Sequence, residues 1–376
     1  MSKLSITHLN SYFIASPLHS ELISALDRLG IKQNVFVPVQ KASLISKNLP
    51  DELQAGHIYY IHCFGTIHRY LWPLKMLRIW RAFKKHYEKN PTPLIHAHTL
   101  IVNGLIAYWA HNKWGVPYVV TIRNTDLNLF LNRIPFFRAL GLKVLNHADQ
   151  IITISPAYRD NQMTRFFTKD KHLSIYEKCV IIPNGIHDFW IRNQQQKQQR
   201  QTIPAIVFSG RMDRNKNLDA LLTACESLSG SGFALTLNIL GDGPLLSGFK
   251  ARQYGFPVKF YGHLSKKEQI LEVLRKSDVL VVPSFNESFG LVYPEAMSQS
   301  LPVIYTRGQG FDGHFPDGYV GFSVNPYDAD EIAEKIKLVF ADYDRLSSNA
   351  HNLAPEFSWE NVTGKLIKIY NAIIKD

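Results

Sequence analysis

Candidate phosphate-binding residues follow a predicted strand just after the midpoint of the chain. The segment Ser209–Asn217 (SGRMDRNKN) lies between that strand and a predicted helix. The planar guanidinium of Arg211 can grip a phosphate group, and Lys216 can add a mobile positive charge. Because a basic surface loop would have the same composition, this segment alone leaves both interpretations open.

A second strand end carries closely spaced glycines. In the segment Ile239–Pro244 (ILGDGP), Gly241 and Gly243 permit a positive φ or the close approach of a ligand. The third glycine of a dinucleotide fingerprint is missing, which argues against a hydride-transfer enzyme. A tight β–α turn without a ligand would also explain this segment.

A third candidate is the loop Pro283–Ala296, which leads from an apolar strand into a predicted helix. Backbone amides at the helix start would point at an anion such as pyrophosphate, which the helix dipole favours. Glu287 and Glu295 could accept hydrogen bonds from hydroxyls at opposite ends of one ligand. The strand–loop–helix context favours this interpretation over a pair of solvated glutamates. The amides belong to Phe289, Gly290 and Leu291.

The order of these motifs resembles that of the family-four retaining glycosyltransferases, which have the GT-B fold. The segment Ile182–Ile186 (IPNGI) is followed by SGR-x4-K, GDGP and E-x7-E, and the resemblance covers most of the chain. It implies a nucleotide-diphosphate sugar donor held mainly by the C-terminal domain. It also implies two doubly wound Rossmann-like domains that face each other across a cleft, with the last helix crossing back to the N-terminal domain.

The resemblance also implies roles for single residues. Arg211 and Lys216 would neutralise the diphosphate, Glu287 would contact hydroxyls of the donor sugar, and Glu295 would contact the ribose. Cations and amides would stabilise the leaving diphosphate without a metal, and the family's retention implies attack on the same face of the sugar. The DxD-like string at Asp328 is predicted to cap a helix. The other donor-binding candidates are Phe289, Gly290, Leu291, Gly241 and Asn184.

The first half departs from the family pattern. The stretch Asn10–His19 has no glycine where many members carry a Gly-Gly loop, and Arg123 stands where the family has an active-site histidine. Arginine can bind phosphate or orient a sugar, but it cannot act as a neutral acid–base group. Asp126 is therefore the candidate catalytic residue for acceptor orientation, with Asn124 second, although either could instead cap the next helix.

Two histidines, His96 and His98, end another predicted strand. One of them could contact the acceptor or the donor, but a hydrogen-bonded structural histidine would have the same pattern. A third ligand at metal-like spacing is missing, so we do not predict a zinc site.

Alternating strands and helices predict a parallel α/β fold in both halves. We expect an acceptor-binding domain at residues 1–190, a solvated polar linker at 191–202, a nucleotide-sugar-binding domain at 203–357 and a returning helix at 358–376. Helix starts are expected after Asn217 and at the capping boxes Ser265/Glu268 and Asp328/Glu331. The predicted strands are Leu4–Leu9, Asn34–Val39, His57–Cys63, Leu94–His96, Tyr118–Ile122, Gln150–Ile154, Cys179–Ile182, Ala205–Ser209, Leu235–Leu240, Val258–Tyr261, Val279–Val282, Val303–Tyr305 and Gly321–Val324.

Composition limits the class of protein. The 376 residues carry a net charge of +11, which favours polyanions, anionic lipids or phosphorylated small molecules. No nucleic-acid motif is present, and three separated cysteines without a CxxC pair indicate a reducing compartment. No apolar run typical of a signal peptide or a membrane span occurs. We expect a cytoplasmic protein, with peripheral contact to the inner face of the cell membrane left open.

The segment His68–Lys89 combines Trp72, Trp80, Phe83 and Tyr87 with nine basic side chains, histidines included. This composition suits a membrane interface or a lipid-diphosphate acceptor. A helix whose apolar face packs on the sheet and whose lysines are solvated would also explain it.

The sequence therefore predicts a metal-independent retaining glycosyltransferase without a cofactor that acts on a saccharide or lipid-linked saccharide acceptor in the synthesis of a bacterial surface polysaccharide. A nucleotide-sugar epimerase of the same architecture and a non-catalytic nucleotide-sugar binding module are the alternatives. A labelled donor with a mixed acceptor pool separates the three, because epimerisation releases no nucleotide and a binding module turns nothing over.

Overall fold

A computed structural model describes residues 4–69 and 71–375 of the chain. Contacts divide it into two compact units. Unit 1 takes in the chain up to Ile154, the segment Arg159–Gly185 and the chain from Trp359 onward. Unit 2 takes in Ser155–Tyr158 and Ile186–Ser358.

Unit 1 contains a parallel sheet of seven strands in the order β3-β2-β1-β4-β5-β6-β7. The central strands are buried along their length, because helices cover both faces of the sheet. The strands are β1 Ser5–Leu9, β2 Lys32–Val39, β3 Gly56–His62, β4 Leu94–Ala97, β5 Tyr118–Ile122, β6 Gln150–Thr153 and β7 Cys179–Ile181. The helices are α1 Pro17–Arg28, α2 Trp72–Tyr87, α3 Val102–Trp114, α4 Pro135–His147 and α5 Leu173–Glu177.

Unit 2 contains a parallel sheet of six strands in the order β10-β9-β8-β11-β12-β13. The strands are β8 Ala205–Ser209, β9 Thr236–Leu240, β10 Val258–Gly262, β11 Val279–Val282, β12 Val303–Thr306 and β13 Gly321–Val324. The helices are α6 Asp188–Arg192, α7 Leu218–Gly230, α8 Leu246–Lys250, α9 Lys267–Arg275, α10 Val292–Met297, α11 Ala329–Ala341 and α12 Tyr343–Leu353, and α13 Trp359–Lys375 completes unit 1.

The predicted fold class is confirmed, and every predicted strand forms within two residues of its expected bounds. Helix starts were predicted less well. Asp328 caps α11 as expected, accepting from the Glu331 amide at 2.9 Å, but the Glu331 carboxylate accepts from the Asn325 amide instead of reaching back. The capping box at Ser265 is wrong, since α9 begins two residues later without a side-chain cap. Asn217 precedes α7, but its amide group donates to carbonyls of other loops rather than accepting from the helix.

Most side chains of the segment after α6 are exposed, but buried contacts of a few residues order it. Lys197 forms an ion pair with Asp278 at 2.8 Å, and both side chains are largely buried. Asp278 also accepts from the backbone amides of Gln201 and Ala205, and Gln195 donates its amide to the Ser298 carbonyl. A polar segment can be ordered in this way when its polar groups find buried partners.

The last helix, α13, packs into the core of unit 1, as the resemblance implied. Trp359 and Tyr370 are buried in one apolar cluster with residues of β1, α1 and β4. The indole nitrogen of Trp359 donates to the carboxylate of Glu21 on α1 at 2.9 Å. Among the residues that the structure describes, no helix is both apolar and long enough to span a membrane.

Gly185 of the IPNGI motif lies against the Trp359 ring. A Cβ atom at this glycine would lie 2.3 Å from a ring carbon. Gly185→Ala is therefore expected to lower the free energy of unfolding by about 1–3 kcal/mol, since the indole must move out of a packed core. Chemical denaturation measures this change.

Gly364→Ala is the matched control, because it adds the same methyl group on α13 where nothing lies within 4 Å. This variant is expected to be as stable as the parent or more stable by about 0.5–1 kcal/mol. Equal stability of the two alanine variants would contradict the packing argument.

Candidate functional site

An ion pair joins two of the predicted site residues in unit 2. Lys216 Nζ lies 2.6 Å from Glu287 Oε2, and the two side chains are 22% and 10% exposed. Lys216 follows β8 and Glu287 follows β11, and these strands are neighbours in the parallel sheet. Parallel neighbours bring their carboxyl ends to the same edge, so residues 71 positions apart in sequence meet there.

The Glu287 carboxylate is held in place by its surroundings. Ser284 Oγ donates to Oε2 at 3.3 Å, and the Ser288 amide donates to Oε1 at 3.1 Å. The Glu287 amide donates to the side chain of Gln309, and the Glu287 carbonyl accepts from the Gly310 amide. A carboxylate oxygen has two lone pairs, so this carboxylate can still accept from hydroxyls of a ligand.

Hydrogen bonds of Asn215 connect the loop after β8 to the loop after β11. Its side-chain oxygen accepts from the Asn286 amide at 3.0 Å, and its side-chain nitrogen donates to the Asn286 carbonyl at 2.9 Å. The Phe285 amide donates to the Asn215 carbonyl at 2.8 Å. Asp213 also accepts from the Lys216 amide and fixes the turn that carries the lysine. Sequence reasoning missed Asn215, although it stands next to Lys216.

A cavity of about 800 Å³ opens at the ends of β8, β9 and β10, and its lining includes neither Lys216 nor Glu287. Arg211 lines it, and its side chain is 72% exposed, with Asp213 3.7 Å away. Such a solvated pair is weak, so the guanidinium can turn to a ligand. The stem of Lys216 passes over Gly210, another lining residue, which connects the ion pair to the cavity.

Gly241 also lines the cavity, where it allows two loops to approach. Its φ is +126°, and a Cβ would lie 1.9 Å from the Gly210 carbonyl oxygen. Gly290 has a φ of +79°, and a Cβ there would lie 2.2 Å from the Tyr293 ring. Both glycines are therefore required by the backbone, whether or not a ligand is bound.

The loop before α10 offers unpaired backbone donors. Within the described part of the chain, the amides of Phe289, Gly290 and Leu291 have no hydrogen-bond partner. The Phe289 side chain is buried against Phe357, so this residue can offer only its backbone. Glu295 lies on α10 and is partly exposed. The donor-site candidates of unit 2 thus comprise two cationic side chains, one fixed carboxylate and three unpaired backbone amides.

Asn184, another donor-site candidate, belongs to unit 1. Its side-chain oxygen accepts from Arg123 Nη1 at 2.6 Å. Both residues line a small pocket of unit 1 that also includes His19 and His98. Asn124 is partly exposed after β5, and its side-chain oxygen accepts from Asn128.

Asp126 has a structural role that does not fit acceptor orientation. Its carboxylate is buried and accepts from the backbone amides of Leu100, Ile101 and Arg123 at 2.9–3.1 Å. Burial raises the pKa of Asp126 to about 6, although these hydrogen bonds oppose the rise. The alternative that this residue caps the next helix is wrong too, because its carboxylate binds backbone amides of the segment before α3.

His96 and His98 belong to a buried histidine cluster that also includes His8 on β1. One ring nitrogen of His96 lies 2.7 Å from the Tyr370 hydroxyl and the other lies 2.8 Å from the Thr121 hydroxyl. His98 Nε2 lies 2.9 Å from His8 Nδ1. One nitrogen from each of the three rings lies within 4.8 Å of the others, a spacing that could hold a metal ion. Both nitrogens of His96 are already engaged, whereas His8 Nε2 and His98 Nδ1 are buried without a partner among the described residues.

This cluster predicts a loss of stability in acid. Burial lowers the pKa of His8 to about 3 and the pKa of both His96 and His98 well below 6.5. The unfolded chain takes up these protons below pH 6.5 and the folded cluster does not, so the free energy of unfolding falls as the pH drops. Asp126 opposes this, because its raised pKa favours the folded state once it is protonated.

Between pH 7 and pH 5 we expect a net fall in the free energy of unfolding, because several buried imidazoles outweigh one carboxyl group. Urea denaturation at each pH measures it. His98→Asn is expected to reduce the slope, because one titrating imidazole is removed. A free energy of unfolding that stays constant over this range would contradict the burial argument.

Two known protein families match the two halves of the chain. Residues 19–176 match the family described as "Glycosyl transferase 4-like domain", and residues 191–354 match "Glycosyl transferases group 1". An uncharacterised glycosyltransferase of Methanocaldococcus jannaschii is 25% identical over 307 residues, which cover 79% of this chain and 80% of the relative.

Solved structures resemble the whole chain. The apo form of the lipopolysaccharide outer core galactosyltransferase WaaB has a TM-score of 0.75 at 17% identity, covering 97% of this chain and 100% of its own. Anabaena HepE in complex with UDP has a TM-score of 0.70 at 17% identity, covering 98% of this chain and 100% of its own. At these identities, the likeness concerns the fold.

Proposed function

This chain is a GT-B glycosyltransferase of the family-four type, and we propose that it transfers a sugar from a nucleotide-diphosphate donor to a hydroxyl acceptor with retention of configuration. One observation carries the proposal: Lys216 and Glu287 form a 2.6 Å ion pair, and the stem of the lysine passes over Gly210, which lines the cavity at the strand ends of unit 2. A carboxylate fixed in this way can recognise sugar hydroxyls while its lysine partner faces a phosphate.

The donor site combines three sources of positive potential. Lys216 and Arg211 supply full charges, and the unpaired amides of the loop before α10 supply partial charges. Together they suit a diphosphate, whose charge grows as the sugar–phosphate bond breaks. The UDP bound in the structure of HepE supports a nucleoside diphosphate as the leaving group. We assign Glu295 to the ribose hydroxyls.

The proposed reaction needs no nucleophile from the enzyme. The bond between the sugar C1 and the phosphate oxygen breaks, and the acceptor oxygen bonds to C1 on the same face. The acceptor proton goes to the leaving phosphate oxygen. We further propose that no metal is required, because Lys216, Arg211 and the backbone amides neutralise the diphosphate.

For the acceptor, we propose a saccharide hydroxyl, carried by a lipid-linked saccharide in the synthesis of a bacterial surface polysaccharide on the cytoplasmic side of the membrane. Arg123, held by Asn184 in unit 1, could orient an anionic or hydroxylated acceptor. The likeness to a galactosyltransferase of the lipopolysaccharide outer core supports this class of acceptor.

A two-step experiment tests the proposal. A thermal-shift screen of UDP, GDP and ADP identifies the nucleotide, and the matching labelled sugar is then supplied with a mixed pool of acceptors in EDTA. We expect nucleotide release that depends on the acceptor, with retained configuration in the product. Sugar interconversion without nucleotide release would instead identify an epimerase, and donor binding without turnover would identify a binding module.

A further inference from the structure

The positive charge of the chain is concentrated in one stretch. Residues 53–148 contain twelve Lys and Arg against two Asp and Glu, a net charge of +10 out of the +11 of the whole chain. One of the two acids, Asp126, is buried, so it adds little negative charge to the surface. The basic character is therefore a property of unit 1 and not of the donor site in unit 2.

One face of helix α2 is exposed to solvent. This face is apolar near the start of the helix and basic toward its end. Leu74 and Leu77 are 40% and 39% exposed, and Arg78, Arg81 and Lys85 continue the same face at helical spacing. The opposite face is buried, so the helix is already packed on the sheet. Core packing therefore accounts for the buried face but not for the exposed leucines.

The apolar surface continues onto the start of α4. Phe136 is 62% exposed and Ile134 is 46% exposed. The Trp72 ring at the start of α2 lies 4.9 Å from the Phe137 ring and 6.3 Å from the Phe136 ring, measured between centroids, so the two helix starts are in contact. Arg133 and Arg138 flank this patch and are exposed.

A groove lined by tryptophans lies between α2 and α3. It has a volume of about 420 Å³ and lies between Leu77, Trp80, Trp109, Asn112 and Lys113. The Trp80 and Trp109 rings are half-buried, with centroids 5.7 Å apart. Half-exposed tryptophans beside cations are typical of proteins at a lipid–water interface.

We propose that this surface, formed by the outer face of α2, the start of α4 and the tryptophan groove, docks on an anionic lipid bilayer. The leucines and Phe136 would enter the interfacial region while Arg78, Arg81 and Lys85 lie at the level of the headgroups. A second copy of the chain fits less well, because two faces of this charge repel each other. A nucleic acid fits less well too, since exposed leucines have no partner on it. The inference relies on the proposed function only for the expected lipid-linked acceptor.

Vesicle flotation with the full chain tests the proposal. We expect binding to phosphatidylcholine vesicles that contain 30% phosphatidylglycerol, and at least tenfold weaker binding to pure phosphatidylcholine. The triple variant Arg78→Glu, Arg81→Glu, Lys85→Glu should bind anionic vesicles at least tenfold more weakly. Lys250→Glu, Lys276→Glu, Lys337→Glu is the matched control, since it removes the same charge from exposed positions of unit 2 and should bind within threefold of the parent.

A second variant separates insertion from attraction. Leu74→Ser with Leu77→Ser should bind normally in low salt but detach at 0.5 M NaCl, where the parent stays bound, because salt screens the headgroup attraction. The nucleotide-induced thermal shift should stay unchanged in all these variants, which shows that they are folded.

Three results would overturn the proposal: equal binding to neutral vesicles, equal losses in the two triple variants, or concentration-dependent dimerisation that the leucine variant abolishes without any binding to vesicles. Glu287→Gln should bind vesicles like the parent. Failure of the proposed transferase activity would therefore leave this result intact, and failure of vesicle binding would leave the activity intact.

Discussion

Lys216→Ala is expected to lower kcat/KM for the sugar donor about 10³-fold. The lysine side chain is 22% exposed, against 72% for Arg211, and its ammonium group can stabilise the charge that develops on the leaving diphosphate. Because this charge is larger in the transition state than in the ground state, most of the loss should fall on kcat. Initial rates of nucleotide release over a range of donor concentrations measure both parameters.

Two further variants control for charge and for folding. Lys250→Ala removes an exposed lysine of the same unit and should keep the parental rate. Lys216→Arg keeps the charge but changes its geometry, so its rate should lie between those of the alanine variant and the parent. If Lys216→Ala turned over within threefold of the parent, the lysine would have no role in the reaction.

Glu287→Gln is expected to lower kcat about 10²- to 10³-fold while free nucleotide binds within threefold of its parental affinity. The amide has nearly the shape of the carboxylate, but it loses the charge that pairs with Lys216 and weakens hydrogen bonds from the donor sugar. Calorimetry with the free nucleoside diphosphate measures the affinity, and nucleotide release measures the rate. Glu334→Gln, at an exposed position of α11, is the matched control.

The double variant Lys216→Ala, Glu287→Gln shows whether the two residues act as one unit. Since their charged atoms lie 2.6 Å apart, we expect the double variant to be about as slow as the slower single variant, a coupling of about 3–4 kcal/mol. Losses that multiplied fully would mean that each residue acts independently of the other.

The fold could be predicted because buried parallel strands are continuous apolar runs. Val279–Val282 has only valine and leucine and is buried on both faces, so its bounds follow from its letters. Local polarity does not show which residues of an exposed segment have buried partners. The segment after α6 has almost no apolar side chains, but Asp278, about 80 residues away, supplies a buried acceptor for it.

The site could be predicted where two residues follow neighbouring strands, as Lys216 and Glu287 do. It could not be predicted where a side chain accepts hydrogen bonds from backbone amides that are far away in sequence. Asp126 has the same local context as a catalytic aspartate. Only the hydrogen bonds from the Leu100 and Ile101 amides show that its carboxylate holds the segment before α3. His8 was missed for the same reason, since nothing in the sequence links β1 to the two histidines after it.

The place of α13 has a consequence for how this chain matures. Trp359, Val362, Leu366 and Tyr370 fill the core of a unit whose strands were all synthesised at least 170 residues earlier. A nascent chain on the ribosome can complete unit 2 while the first sheet still lacks its final helix. Part of the apolar interior of unit 1 therefore stays uncovered until the segment from Trp359 onward has emerged from the exit tunnel.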